Sequence, residues 1–112
     1  MPEKEYDKYI VRISHAAEHD LTEITRYIAK NNPQTATKIK NRIVAKIKTL
    51  DHFPHRGSYV PELLERNTKG YRQLLDSSWK IIYKIEGQIV RILAIVDSRR
   101  DLQDILKQKL MK

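Results

Sequence analysis

The stretch YRQLLDSSWKIIYKIEGQIVRILAIVDSRRD, residues 71–101, holds three short apolar runs with cationic side chains at alternate positions and closes on Asp97-Ser98-Arg99-Arg100-Asp101. Side chains along a strand point to opposite faces in turn. Trp79, Ile81, Tyr83 and Ile85 therefore share one face, while Lys80 and Lys84 project from the other and make it a basic platform. Glu86-Gly87 between two β-branched runs marks a tight hairpin turn, with Gly87 supplying the positive φ such turns need. In the next run, strict alternation puts Val90, Ile92, Ala94 and Val96 on one face and Arg91 on the other, among Ile89, Leu93 and Ile95. A strand apolar on both faces is expected at the centre of a sheet. Tyr71-Arg72-Gln73-Leu74-Leu75, bounded by Gly70 and by Asp76-Ser77-Ser78, completes a three-stranded antiparallel meander.

Outward from this meander, Tyr9-Ile10-Val11-Arg12-Ile13 is rich in β-branched residues and reads as an N-terminal strand. Ser14 caps the helix that follows, in which Ala17, Leu21, Ile24 and Ile28 form one apolar stripe ending at Asn31-Asn32. Asn32 and Pro33 then open a second helix with Ala36, Ile39, Ile43, Ile47 and Leu50 on its apolar side. So short a link makes the two an antiparallel helical hairpin. Phe53-Pro54-His55-Arg56-Gly57 breaks the second helix, and residues 58–69 read as irregular or as a short helical turn. Asp101 caps a C-terminal helix with Leu102, Ile105, Leu106 and Leu110 as its stripe and Lys107, Lys109 and Lys112 near its negative end. The expected class is α+β: an N-terminal strand, a helical hairpin packed on an antiparallel meander, and a C-terminal helix, in a single domain over residues 1–112.

Lys and Arg number 22 against 14 acidic residues, and the formal charge of +8 points to a polyanionic partner, either nucleic acid or an acidic protein. Besides the meander, the second helix carries Lys38, Lys40, Arg42, Lys46 and Lys48 with no acidic residue from Pro33 to Leu50. Lys38, Arg42 and Lys46 form an alternative basic surface, which is either a solvated face or a partner-binding one. The absence of cysteine removes disulfides and thiol chemistry, and with no apolar run of signal-peptide or membrane-spanning length the expected location is the cytoplasm. His15-Ala16-Ala17-Glu18-His19 spells the H-x-x-E-H pattern of a zinc protease family, but two exposed helix histidines explain it better in so short a chain, and no metal or cofactor is expected.

The order of elements resembles the RelE/ParE superfamily of toxins from type II toxin–antitoxin modules. The resemblance rests on residues 14–24 with Tyr27-Ile28-Ala29, on Leu50, Phe53-Pro54 and Gly57, on Tyr71-Arg72-Gln73-Leu74, and on residues 80–85 and 89–101. It implies a growth-inhibiting toxin neutralised by a cognate acidic antitoxin in a hetero-oligomer. Two kinds of target follow from it: RelE-like members are ribosome-dependent messenger-RNA interferases, whereas ParE-like members bind DNA gyrase. By position, Arg72, Lys80 and Arg99 resemble the cations with which RelE-like enzymes hold the scissile phosphate, with Lys84 and Arg100 as supporting charges. The His and Tyr that such enzymes use to move protons are missing from Asp97-Ser98 and from Leu102 to Leu106, which turns the resemblance toward the gyrase-binding side and leaves the interferase as the alternative. A further alternative is a non-toxic basic module that tracks nucleic-acid phosphates.

Overall fold

The computed structural model describes residues 8–60 and 70–98. The chain runs β1 (Ile10–Ile13), α1 (His15–Ala29), α2 (Pro33–Lys48), a turn of 3-10 helix at Thr49–Asp51, β2 (Ser58–Tyr59), β3 (Tyr71–Asp76), β4 (Trp79–Glu86) and β5 (Ile89–Asp97). The expected α+β architecture is present, and the C-terminal helix read over residues 101–112 lies outside the described residues. Local chemistry starts both helices as the sequence implies. The Ser14 hydroxyl accepts from the Ala17 N–H at 3.1 Å, the Asn32 side chain accepts from the Thr35 N–H at 3.0 Å, and Pro33 occupies the first turn of α2.

The strands form one sheet in the order β1-β5-β4-β3-β2. The meander is antiparallel, but β1 lies parallel to β5, with Ile10 to Ile13 beside Ile89 to Ile92. Residues 58–59, read as irregular, instead pair with Gln73 and Arg72 as a short edge strand. The β4–β5 loop is Gly87-Gln88, and Gly87 has φ +60° at the first loop position.

One expectation fails at β5. Ile82 pairs with Ala94 and Tyr83 with Ile92, so Leu93 is an extra residue, a β-bulge that inverts the alternation beyond it. Val90 and Ile92 face the helices, and after the bulge it is Ile95 that joins them, while Ala94 and Val96 turn to the opposite face. An alternation apolar on both faces carries no mark of such a shift, which only the register against β4 reveals.

The main core lies between the helical hairpin and the sheet: Ala17 and Leu21 from α1, Ile43 and Ile47 from α2, Leu50, and Leu74, Ile81, Tyr83, Val90, Ile92 and Ile95 from the sheet. Two polar ties fix the ends of this sandwich. Tyr83, fully buried, donates its hydroxyl to the Pro54 carbonyl at 2.7 Å and accepts from the Gly57 N–H at 3.0 Å. Gly57 is required at this approach, because a Cβ there would lie 2.5 Å from the Tyr83 oxygen and 2.7 Å from the Gln73 carbonyl oxygen. At the other end Arg42 of α2 reaches the buried Asp76 at 2.6 Å and the Ser77 hydroxyl at 3.0 Å, while Lys46 donates to the Leu75 carbonyl at 2.8 Å. These contacts tie α2 to the β3–β4 turn.

Removing the phenol oxygen in Tyr83→Phe strands a buried N–H and a buried carbonyl, so a loss of about 1–3 kcal/mol is expected in denaturant unfolding. Burial pushes the Tyr83 pKa above 10.0, partly opposed by the Gly57 N–H and then by the Arg72 and Arg56 charges. The folded state therefore holds the phenol proton more tightly than the unfolded chain does. This contribution is complete below the unfolded value near 10 and is lost as pH rises from there through the folded one, so across that interval wild-type stability should fall more steeply than that of Tyr83→Phe. On α2, Arg42→Ala is expected to cost about 1–2 kcal/mol by leaving a buried carboxylate short of a donor. Lys38→Ala, exposed and without a described partner, should stay within about 0.5 kcal/mol in the same melts.

Candidate functional site

The sheet face away from the helices carries a row of cations that pairing, rather than sequence, assembles. Arg12 of β1 stands beside Arg91 of β5, Arg91 beside Lys84 of β4, and Lys84 beside Tyr71 of β3. Neighbouring strands lie about 4.8 Å apart, so three positive side chains follow one another across the sheet. Glu86 tempers the row through Arg91, whose Nε donates to its carboxylate, and lies 4.0 Å from Lys84. The Lys84 ammonium sits 5.1 Å from the centroid of the Tyr71 ring. Lys80 projects from the same face further along β4, level with Val96 and Leu75.

Arg72 does not join them. It pairs with Tyr83 and so projects to the helix side, where its Nη1 donates to the Gly57 carbonyl at 2.7 Å and the His55 carbonyl at 3.3 Å. Its guanidinium lies 4.3 Å over the Tyr59 ring. Arg72 thus clips the loop between α2 and β2 to the sheet margin, and the expected convergence of Arg72 and Lys80 on one face is not what the register gives. Arg99 and Arg100 lie outside the described residues. On the alternative surface, Arg42 and Lys46 are engaged by Asp76 and the Leu75 carbonyl, and Lys38 is open to solvent.

Arg12 was invisible as a site residue in the sequence, since nothing local places the first strand beside the last. Its alternation with Val11 and Ile13 supplied half the signal, and the parallel register supplies the rest.

Chemically, a face of Arg and Lys side chains is suited to holding anions rather than to moving protons. Tyr83, midway along β4, keeps its hydroxyl buried in the loop contact on the helix side. His15, His19, His52 and His55 are all exposed, the first two on α1 and the others beside the Phe53-Pro54 turn. His19 approaches Glu23 at 3.9 Å as an ordinary one-turn helix pair.

A separate groove of about 670 Å³ opens between the helical hairpin, the β3–β4 turn and the end of β5. Ile24, Ile28, Ile39 and Trp79 give it apolar walls, and Asp20, Glu23 and Asp97 an acidic rim. Asp20 also accepts from the Ile95 N–H at 3.0 Å, which caps β5 where β1 has stopped.

Comparison with known proteins agrees with this architecture. The family described as the ParE toxin of the type II toxin-antitoxin system, parDE, matches residues 11–102. Toxin ParE3 of Caulobacter vibrioides is 31% identical over 91 residues, covering 80% of this chain and 87% of the relative. The fold is similar to a solved chain of the chromosomal ParDE TA system from P. aeruginosa, with TM-score 0.66 and 23% identity over 81% of this chain and 97% of that one. With the family's pattern running from the first strand past the end of the last, the chain belongs to the ParE toxins of type II toxin–antitoxin systems.

Proposed function

We propose that this protein arrests growth by binding DNA gyrase in the cytoplasm, and that a cognate acidic antitoxin neutralises it by folding onto the basic sheet face and the helical hairpin. The observation that carries the target assignment is the separation of Arg72 from Lys80 and Lys84 by the thickness of the sheet. Cleavage of a phosphodiester needs cations gathered around one phosphate, together with groups that move protons. A cationic row spread over three strands suits a broad electronegative protein surface instead. Lys80, Lys84, Arg91 and Arg12 are the described members of the proposed target surface, and the proposal includes Arg99 and Arg100, which come after Ser98 in sequence and lie outside the described residues. The net charge of +8 supports association with an acidic, initially unfolded antitoxin segment as a toxin–antitoxin hetero-oligomer. Among the described residues no helix is long and apolar enough to cross a membrane.

Induced expression of the chain alone should arrest growth with DNA breaks, and co-expression of the adjacent antitoxin gene should restore it. Purified protein should inhibit gyrase supercoiling. Lys80→Ala and Lys84→Ala are expected to weaken that inhibition at least about tenfold with the melting temperature unchanged, since exposed charges contribute little to folding. Arg72→Ala should lower the melting temperature, because it releases two loop carbonyls. Transcript 5′-end mapping that finds codon-positioned cuts, with gyrase unaffected, overturns the proposal in favour of the interferase.

A further inference from the structure

The loop from α2 to β2 is fastened more firmly than a connection requires. The Phe53 N–H donates to the Thr49 carbonyl at 3.1 Å, and the Arg56 side chain donates to the Thr49 hydroxyl at 2.7 Å. The Tyr83 hydroxyl bridges the Pro54 carbonyl and the Gly57 N–H, and Arg72 holds the His55 and Gly57 carbonyls. Pro54 and Gly57 are buried, yet Phe53, one residue before Pro54, is turned outward and is 62% exposed. Tyr59, just past the loop, is 47% exposed. Large apolar side chains scattered singly over a surface are ordinary, but Phe53 does not stand alone. His55 of the same loop meets the Tyr9 ring edge-on, with 6.5 Å between centroids. Beside that contact a groove of about 430 Å³ lies between β1 and the end of α2, with Tyr9, Ile10 and Val11 as its apolar lining and Lys8, Lys48 and Asp51 as its charged one. Ile10 is 52% exposed. Tyr83 fixes the loop and Lys84 follows it in β4, so the loop and the cation row mark the same end of the sheet from opposite faces.

We propose that this end of the sheet is where the toxin grips its target protein, with Phe53 as the anchor that enters an apolar pocket and Lys8 and Lys48 meeting acidic groups around it. The inference rests on the reading of the protein as a toxin that acts by binding, and it carries the target surface past the cation row to the other face of the same sheet end. The rigidity of the loop selects the partner. A side chain whose backbone is already fixed loses little freedom on docking, which favours contact with a preformed pocket on a folded protein. An antitoxin segment that is unfolded until it binds offers no such pocket. A symmetric contact between two copies of this chain brings Lys8 and Lys48 toward their like in a molecule of net charge +8.

Induced expression in cells and assays on the purified full-length protein test the anchor together. Phe53→Ala should abolish growth arrest and raise the concentration for half-inhibition of gyrase supercoiling at least about tenfold, as removal of an interface anchor does. Its melting temperature and its affinity for the purified antitoxin should match those of the wild type, and Phe53→Trp should keep both arrest and inhibition. Arrest by Phe53→Ala at the wild-type level overturns the proposal, and so does a lowered melting temperature, which makes Phe53 a structural residue. Weakened antitoxin binding with arrest retained assigns this end to the antitoxin, and a wild-type dimer in gel filtration that Phe53→Ala dissociates assigns it to a second copy; either result overturns the proposal. If the wild type arrests growth without inhibiting gyrase and Phe53→Ala does not arrest, the gyrase reading falls and the anchor stands. Wild-type protein that arrests nothing overturns both.

Discussion

The seam between the first and the last strand is the constraint on which the rest of the molecule hangs, and Ser14 is its hinge point. Its N–H donates to the Ile92 carbonyl at 3.0 Å, ending the parallel pairing of β1. Its hydroxyl caps α1 through Ala17 and lies 3.4 Å from the Leu93 carbonyl oxygen at the bulge. One residue thus terminates a strand, starts a helix and touches the point where β5 changes face. Because α1 leaves the seam at a fixed place, the helical hairpin is laid across the sheet with Ala17 and Leu21 already over Ile92 and its neighbours. Each large aliphatic side chain sealed there contributes about 1.5–3 kcal/mol, far more than any exposed ion pair.

The bulge follows from what lies beside it. Up to Ile92 the outer neighbour of β5 is β1, and beyond it the neighbour is the side of α1, where the Asp20 carboxylate takes the Ile95 N–H in place of a strand partner. Shifting the alternation by one residue at this junction brings the bulky Ile95 into the main core and sends the small Ala94 outward. It also creates a second apolar patch, since strict alternation would have left Ala94 and Val96 beneath the helices.

Charge is sorted by the same geometry. Of the cations that a basic composition offers, Arg72, Arg42 and Lys46 are consumed by structure: one clips the loop at Gly57, and the other two tie α2 to the β3–β4 turn. Arg12, Arg91, Lys84 and Lys80 project from the sheet face away from the helices, and Lys38, Lys40 and Lys48 are exposed on α2. The acidic rim of the groove lies on the far side, by the hairpin.

The sequence by itself determined the parts whose causes are local. The Ser14 and Asn32 caps, Pro33 at the start of α2, the apolar stripes of both helices, the Gly87 turn and the alternation of β4 all depend on residues within a turn or two of one another, and together they specified the α+β order and the family. Only the tertiary structure decided the rest, because those contacts join residues far apart in the chain. The Arg42–Asp76 pair spans 34 residues and the Ser14–Leu93 contact 79, and no local period encodes such pairings. The same holds for Arg72. Its alternation within β3 was legible, yet which face that alternation meant depended on the register of β3 against β4, where Arg72 falls opposite the buried Tyr83 rather than beside Lys80.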